Sequence, residues 1–336
     1  MRRLAPLVAV VVLAVFVCGP ARRDTRMRGV SWEAGREHAA AALDPLRALG
    51  ADWISQTPFG WCRAKDAPEV VLSPSRGLWG ETDAGLEATT RWARERGIRT
   101  LLKPHLWLRG GAWVGDLEMR SEADWSRFFD AYETFLLHYA RLAERNGIEA
   151  LAVGTELPRS SGRAADWRRL IGKVRGVYRG RLTYCANWHE AESVAFWGAL
   201  DFVGVQAYYP LRVTGAQSAE TITAAWPPIV ARLEALHERT QKPIVFTEVG
   251  YKSLKGSLLE PWLWGTEGDR DDRLQRDAYA AMFASVWDKP WFGGVFVWKW
   301  HPALGAPDAA PERHARDFTP QGKPALDVIR AYYHRP

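Results

Sequence analysis

Between Arg28 and Trp298 the chain alternates short apolar runs, rich in Val, Ile, Leu and Phe, with longer stretches whose apolar residues recur at helical spacing. The short runs predict strands over Arg28–Trp32, Asp52–Thr57, Arg99–His105, Ala150–Glu156, Leu182–Asn187, Phe202–Tyr208, Pro243–Glu248 and Gly294–Trp298. The longer stretches predict helices over Glu37–Leu49, Thr82–Arg96, Glu122–Asn146, Ala164–Tyr178, Glu190–Gly198, Glu220–Thr240 and Asp271–Trp287, with a closing helix near Ala325–Tyr333. Several stop at glycine, as at Leu49-Gly50, Arg96-Gly97 and Asn146-Gly147, where a left-handed cap ends the helix. Eight alternating units predict an α/β fold, a single-domain (β/α)8 TIM barrel. A doubly wound open sheet shares the alternation, but its glycine-rich phosphate loop is missing after the first strand. No linker or low-complexity stretch divides the chain, and Pro302–Pro324 reads as an irregular loop before the last helix.

Active sites of such barrels collect where the strands run out at their carboxyl ends. Side chains alternate in direction along a strand, so sharing of a face can be read from parity. Leu101, Lys103 and His105 share one face; Glu156 shares one with Ala152 and Gly154, opposite Val153 and Thr155; Gln206 goes with Tyr208, and Glu248 with Ile244 and Phe246. An unpaired buried carboxylate is costly, so two of them at strand ends need a reason. Glu156 and Glu248 close the fourth and seventh strands and would meet across a barrel mouth. That pairing suits glycoside hydrolysis, in which a protonated carboxyl serves the leaving oxygen while a second attacks the anomeric carbon, at a separation of about 5 to 5.5 Å in retaining enzymes. Tyr208 can donate to the nucleophile, whose charge in turn raises the pKa of the acid. Simpler readings stand beside these: a salt-bridged core carboxylate for Glu248, a satisfied core histidine for His105, a neutralising cation for Lys103. Trp61, Trp107, Trp113 and Trp188, in or next to loops after strands, serve either as sugar platforms or as loop packing.

Composition narrows the setting. The 336 residues include 47% hydrophobic and 25% charged side chains, with 45 Lys+Arg against 39 Asp+Glu, which excludes disorder, collagen and a multi-span membrane protein. The net charge of +6 is spread without a dense basic run, so nucleic acid is not an expected partner. The excess is aromatic, with 18 Trp, 12 Phe and 10 Tyr, and flat faces with polar edges suit sugar rings as well as cores. Met1–Ala21 has the basic start, apolar run and small-residue end of a secretory signal peptide, leaving 27–336 as the catalytic domain of an exported protein, secreted or periplasmic. An uncleaved membrane anchor or a lipoprotein signal ending at Cys18 are the open alternatives, although Val17 stands where lipidation favours a small residue. Cys62 and Cys185 lack a CxxC partner and read as two buried thiols or one disulfide. Neither Trp188-His189-Glu190 nor Trp300-His301 has ligand spacing, and Asp269–Asp272 reads as a helix start, so neither metal nor cofactor is expected. No Gly-x-Ser-x-Gly elbow is present to supply an esterase nucleophile.

Val153-Gly154-Thr155-Glu156-Leu157, Phe246-Thr247-Glu248-Val249-Gly250-Tyr251, Lys103-Pro104-His105 and Trp298-Lys299-Trp300 together resemble the retaining (β/α)8 glycoside hydrolase clan A, most closely its family 113 of β-1,4-mannanases. The resemblance runs from about Arg28 to Trp300. It implies Glu156 as acid/base, Glu248 as nucleophile, Tyr208 as the aromatic touching the nucleophile, and Trp298 or Trp300 as the floor under the cleaved sugar. Thr155 stands where many members carry Asn, which leaves the sugar 2-hydroxyl to Asn187 or Lys103. The expected substrate contacts are therefore Lys103, His105, Asn187, Trp188, Tyr208, Trp298, Trp300 and Trp61. The expected activity is retaining hydrolysis of a β-linked polysaccharide or oligosaccharide, β-1,4-mannan first, without metal or cofactor. A non-catalytic carbohydrate-binding barrel at the cell surface and a metal-dependent barrel hydrolase are the competing readings.

Overall fold

The computed structural model describes residues 25–73, 75–213, 215–305 and 311–335; the signal stretch 1–21 lies outside them. The apolar runs form ten strands: β1 (Met27–Trp32), β2 (Trp53–Gln56), β3 (Phe59–Cys62), β4 (Arg99–Leu102), β5 (His105–Leu108), β6 (Ala150–Thr155), β7 (Arg181–Asn187), β8 (Val203–Gln206), β9 (Ile244–Val249) and β10 (Phe292–Trp300). Eight of them pair in parallel and close a barrel in the order β1-β10-β9-β8-β7-β6-β4-β2. The strand expected over Arg99–His105 is split, because Pro104 has no N–H to give a ladder. His105 instead opens β5, which pairs with β3 in a two-stranded annex continuing the second and third barrel strands.

The helices are α1 (Asp44–Leu49), α2 (Asp83–Glu95), α3 (Glu122–Arg145), α4 (Ala164–Arg175), α5 (Ala219–Thr223), α6 (Pro227–Thr240), α7 (Asp272–Val286) and α8 (Ala325–Tyr333). Thr82, Ser121 and Asp271 cap α2, α3 and α7 by accepting a backbone N–H of the first turn. Prolines shorten two expected helices: Pro45 starts α1 afresh after a 3-10 turn, and Pro227-Pro228 separates α5 from α6. The helix expected over Glu190–Gly198 is absent. Glu190 turns inward to accept from the Tyr184 hydroxyl at 2.6 Å and the Asn187 N–H at 3.0 Å, and the Trp197 indole donates to Ala191 O, leaving only a 3-10 turn at Trp197–Ala199. No helix among the described residues is long and apolar enough to cross a membrane.

Burial separates into two cores. Met27, Trp53, Leu101, Ala150, Phe202, Val245 and Phe296, one from each barrel strand or its lead-in except β7, fill the barrel interior, while a larger cluster lies between strands and helices. The Phe296 ring occupies the space over Gly29, where a Cβ would come within 2.4 Å of it. The Tyr333 hydroxyl donates to Gly29 O at 2.6 Å, tying α8 to the first strand.

At the carboxyl rim the strict alternation fails three times. Val205 pairs with Phe246 but Gln206 with Glu248; Ala152 pairs with Thr183 but Thr155 with Cys185; Val30 pairs with Val297 but Trp32 with Trp300. Each is an extra residue of the bulge type, which re-aims the side chains beyond it. Ahead of the bulge on β9, Ile244 and Phe246 face the outer core, where Phe246 stacks on Trp226, while Val245 faces inward. Gly154 likewise faces Trp167 of α4. The expected face-sharing of Glu248 with Ile244 and Phe246, and of Glu156 with Gly154, is therefore incorrect; the bulges bring both carboxylates to the mouth.

Candidate active site

Glu248, 7% exposed near the end of β9, has an asymmetric shell. The Lys103 ammonium donates to Oε1, and the Tyr208 hydroxyl to Oε2 at 2.9 Å. Lys103 stands two residues beyond Leu101 of the inner core, with no exposed surface, so its charge is tied to this carboxylate. Its ammonium also lies 5.5 Å from the centroid of the Trp298 ring, a cation–π contact. Burial and the neighbouring Glu248 push the Tyr208 phenol well above its ordinary range, which keeps it a donor.

Glu156 follows β6 with φ 51, a left-handed conformation that costs a non-glycine residue about 1–3 kcal/mol. Two bonds hold it there: Glu156 N–H donates to Cys185 O at 2.9 Å, and the next N–H, of Leu157, to the Tyr184 hydroxyl at 2.8 Å. The Tyr184 hydroxyl in turn donates a hydrogen bond to Glu190, a carboxylate only 2% exposed. Glu190 also fixes the backbone of Asn187, whose side-chain amide donates to Glu156 Oε1 at 3.2 Å. The Trp113 indole donates to the other oxygen, Oε2, also at 3.2 Å. Burial first, then the charge of Glu248, push the Glu156 carboxyl up to about 7, against the opposing pull of Trp113 and Lys103. Burial likewise takes Glu190 to about 7, with Tyr184 and Asn187 acting against it. One carboxylate thus sits against a buried cation, and the other is a carboxyl that keeps its proton into the range just below neutrality.

The fold gathers Lys103, Asn187, Tyr208 and Trp298 around this pair. His105 lies beside them at the start of β5, held at about 4 by burial and the charge of Lys103 and therefore neutral; its Nδ1 bonds Leu106 O rather than a carboxylate. Trp188 follows Asn187 and stacks on Trp262, their centroids 5.9 Å apart. Trp61 packs on Trp107 in the annex and bridges to Val71, touching neither carboxylate. Trp300 does not line the mouth: the extra residue on β10 breaks its shared parity with Trp298, and it is 4% exposed within the outer core. Cys62 and Cys185 are buried free thiols. The fold does bring His301 together with His314 and Asp317, their ligand atoms within 4.8 Å, which sequence spacing did not show. These groups bond one another, and Glu33 and Lys323 flank them.

The model of Glycoside Hydrolase Family 113 matches residues 27–323, nearly the whole of this barrel. The chain belongs to Glycoside Hydrolase Family 113. The family 113 enzyme is a glycosidase on a (β/α)8 barrel, and among solved structures it is similar to the GH113 β-mannanase AaManA from Alicyclobacillus acidocaldarius in complex with ManMIm, at 28% identity and TM-score 0.81, covering 92% of this chain and 97% of that one. A GH113 β-1,4-mannanase complex is similar at 27% identity and TM-score 0.79, covering 93% and 99%. The β-glucuronidase of Ruminococcus gnavus, at 11% identity and TM-score 0.62 over 92% of this chain and 50% of that one, shares the fold alone. No curated protein sequence matches the family 113 enzyme.

Sequence reasoning gave Trp113 no definite role and read Glu190 as a helix start or a loop polar residue. A double glycine, Gly110-Gly111, one residue short of an aromatic was the available sign for Trp113; both glycines have positive φ, and they turn the loop that brings the indole to Glu156. For Glu190 and Tyr184 the sequence carries no signal, because their partnership depends on which way a turn folds. Trp262 and Trp264 lie in an exposed loop whose sequence, Leu258–Gly265, has no strand or helix period.

Proposed function

We propose that this glycosidase hydrolyses β-1,4-linked mannan by double displacement, with Glu248 as nucleophile and Glu156 as acid/base. The unequal environments of the two carboxylates carry this reading: Glu248 faces the buried Lys103 ammonium and the Tyr208 hydroxyl, whereas Glu156 is raised to about 7. Such divergence separates the two roles in a carboxylate pair. With the sugar to be cleaved resting on Trp298, Glu156 gives its proton to the glycosidic oxygen as Glu248 bonds to the anomeric carbon and the leaving sugar departs. Ester formation consumes the charge of Glu248, which removes one cause of the raised pKa of Glu156. Glu156, now ionised, takes a proton from water, which attacks the ester and frees Glu248 with configuration retained. Thr155 stands where many members of the clan carry Asn, and Asn187, whose amide donates to Glu156, is the nearby side chain with an unused acceptor, its Oδ1 being buried without a hydrogen-bond partner among the described residues. The two solved mannanases, at 27% and 28% identity, support mannan as the substrate. The layout of Met1–Ala21 supports export as the setting.

Glu156→Ala with an activated aryl β-mannoside tests the assignment. The first step no longer needs a proton, the second stalls, and azide, which needs no deprotonation, should restore turnover and yield the β-mannosyl azide. The α-azide, or full activity on mannan without Glu156, would overturn it.

A further inference from the structure

The loop after the nucleophile strand carries an unusual burden of exposed apolar surface: Trp262 is 39% and Trp264 63% exposed. Isolated exposed apolar residues need no explanation, but two tryptophans on one short segment beside a sugar site do. The segment is anchored at both ends. Leu211 N–H donates to Leu258 O at 2.8 Å, with Leu258 fully buried, and the Lys252 ammonium donates to Gly265 O at 2.7 Å. Between these anchors the two indoles lead to opposite halves of the site. Trp262 stacks on Trp188, with an interplanar angle of 23°; the Trp188 ring lies 5.2 Å from that of His189, and His189 lies 6.2 Å from Trp113, whose N–H is on Glu156. Trp264 instead meets Trp298 edge-on at 6.0 Å, and Trp298 faces the Lys103 ammonium that holds Glu248.

We propose that Leu258–Gly265 bridges the scissile bond and grips the polysaccharide on both sides of it, Trp262 on the leaving-group side and Trp264 on the side of the cleaved sugar. This rests on the assignment of Glu156 as acid/base: the leaving oxygen must lie at that carboxyl, so rings continuous with it receive the leaving sugars. Rings continuous with the nucleophile receive the sugars that stay bound as the ester. Aromatic faces held at both ends of the cut fit a β-linked chain that continues in both directions.

Mannohexaose labelled with 18O at its reducing end reports where the chain is cut, by mass spectrometry of the products; if a substrate screen selects another backbone, the hexasaccharide of that backbone replaces it. Trp262→Ala should move cleavage toward the reducing end, because the leaving side loses its hold, and Trp264→Ala toward the non-reducing end. The ratio between neighbouring bonds should change about threefold to tenfold, the size of one stacking contact. Both indoles are well exposed, and Trp262→Phe and Trp264→Phe, which keep a smaller ring, should give intermediate shifts in the same two directions. Equal shifts, reversed shifts or an unmoved pattern would overturn the bridge. A wrong acid/base assignment would show itself separately, as the missing azide product of Glu156→Ala.

Discussion

Replacing Trp113 with Phe removes one hydrogen bond from Glu156 and keeps an aromatic ring in place. That bond, from an indole N–H at 3.2 Å, favours the charged carboxylate. A hydrogen bond to a charged group contributes about 1.5–3 kcal/mol. This one is long, and its donor residue is 42% exposed, so roughly a third of that range, about 0.5–1 kcal/mol, is the reasonable share. At 1.36 kcal/mol per pKa unit, the carboxyl should rise by about 0.4–0.7 unit above its value near 7. The sign follows from the proposed role: as acid, Glu156 must be protonated to serve the leaving oxygen, so kcat/KM should fall as pH rises through its pKa. The substitution should move that basic limb to higher pH. The measurement is a kcat/KM profile on mannohexaose, which reports the groups of the free enzyme and hence the indole contact as described. An activated aryl glycoside, whose first step needs no acid, provides the control and should show the shift weakly or not at all. A basic limb that stays in place, or moves to lower pH, would refute both the contact's effect and the role of Glu156 as acid.

Two further changes test the supports of the site. Glu190→Gln offers one acceptor and one donor where Glu190 accepts from both Tyr184 and Asn187, so one buried donor loses its partner; urea unfolding should register about 1–3 kcal/mol of lost stability. The basic limb of kcat/KM should also move slightly to lower pH, because the charge of Glu190 is among those that raise Glu156; an unchanged limb would count against the link. Gly29→Ala places a Cβ within 2.4 Å of the Phe296 ring, and overpacking of this kind costs about 1–3 kcal/mol. Urea unfolding should recover part of the loss when Phe296→Leu is added, and no recovery would mean that the clash lies elsewhere.

The alternation of apolar runs and helical stretches was enough to place all eight barrel strands, because each strand is buried on both faces and each helix on one. Helix interruptions were harder to read: Pro45 and Pro227-Pro228 stand in plain view, yet the turn at Glu190 depends on a buried contact with Tyr184 that no local spacing encodes. The site is the instructive case. Parity singled out Glu156 and Glu248 through faces they do not share with Gly154 and Phe246, since the bulges between Ala152 and Thr155 and at Thr247 interrupt the period before either carboxylate is reached. What made them legible was chemistry, a carboxylate at the end of an apolar strand. Where parity alone was used, for Trp300, the bulge on β10 defeated it.

The depth of Lys103 has a kinetic consequence. Its ammonium has no water to fall back on, so at every stage of the cycle some carboxylate must answer it. In the resting enzyme Glu248 does so, through direct contact. In the proposed double displacement that partner becomes a neutral ester, and the cation then favours loss of the proton from Glu156, whose pKa it already lowers. On the proposed assignment the lysine is a fixed counterweight that shifts the single negative charge from one side of the mouth to the other, arming the base at the moment water is needed.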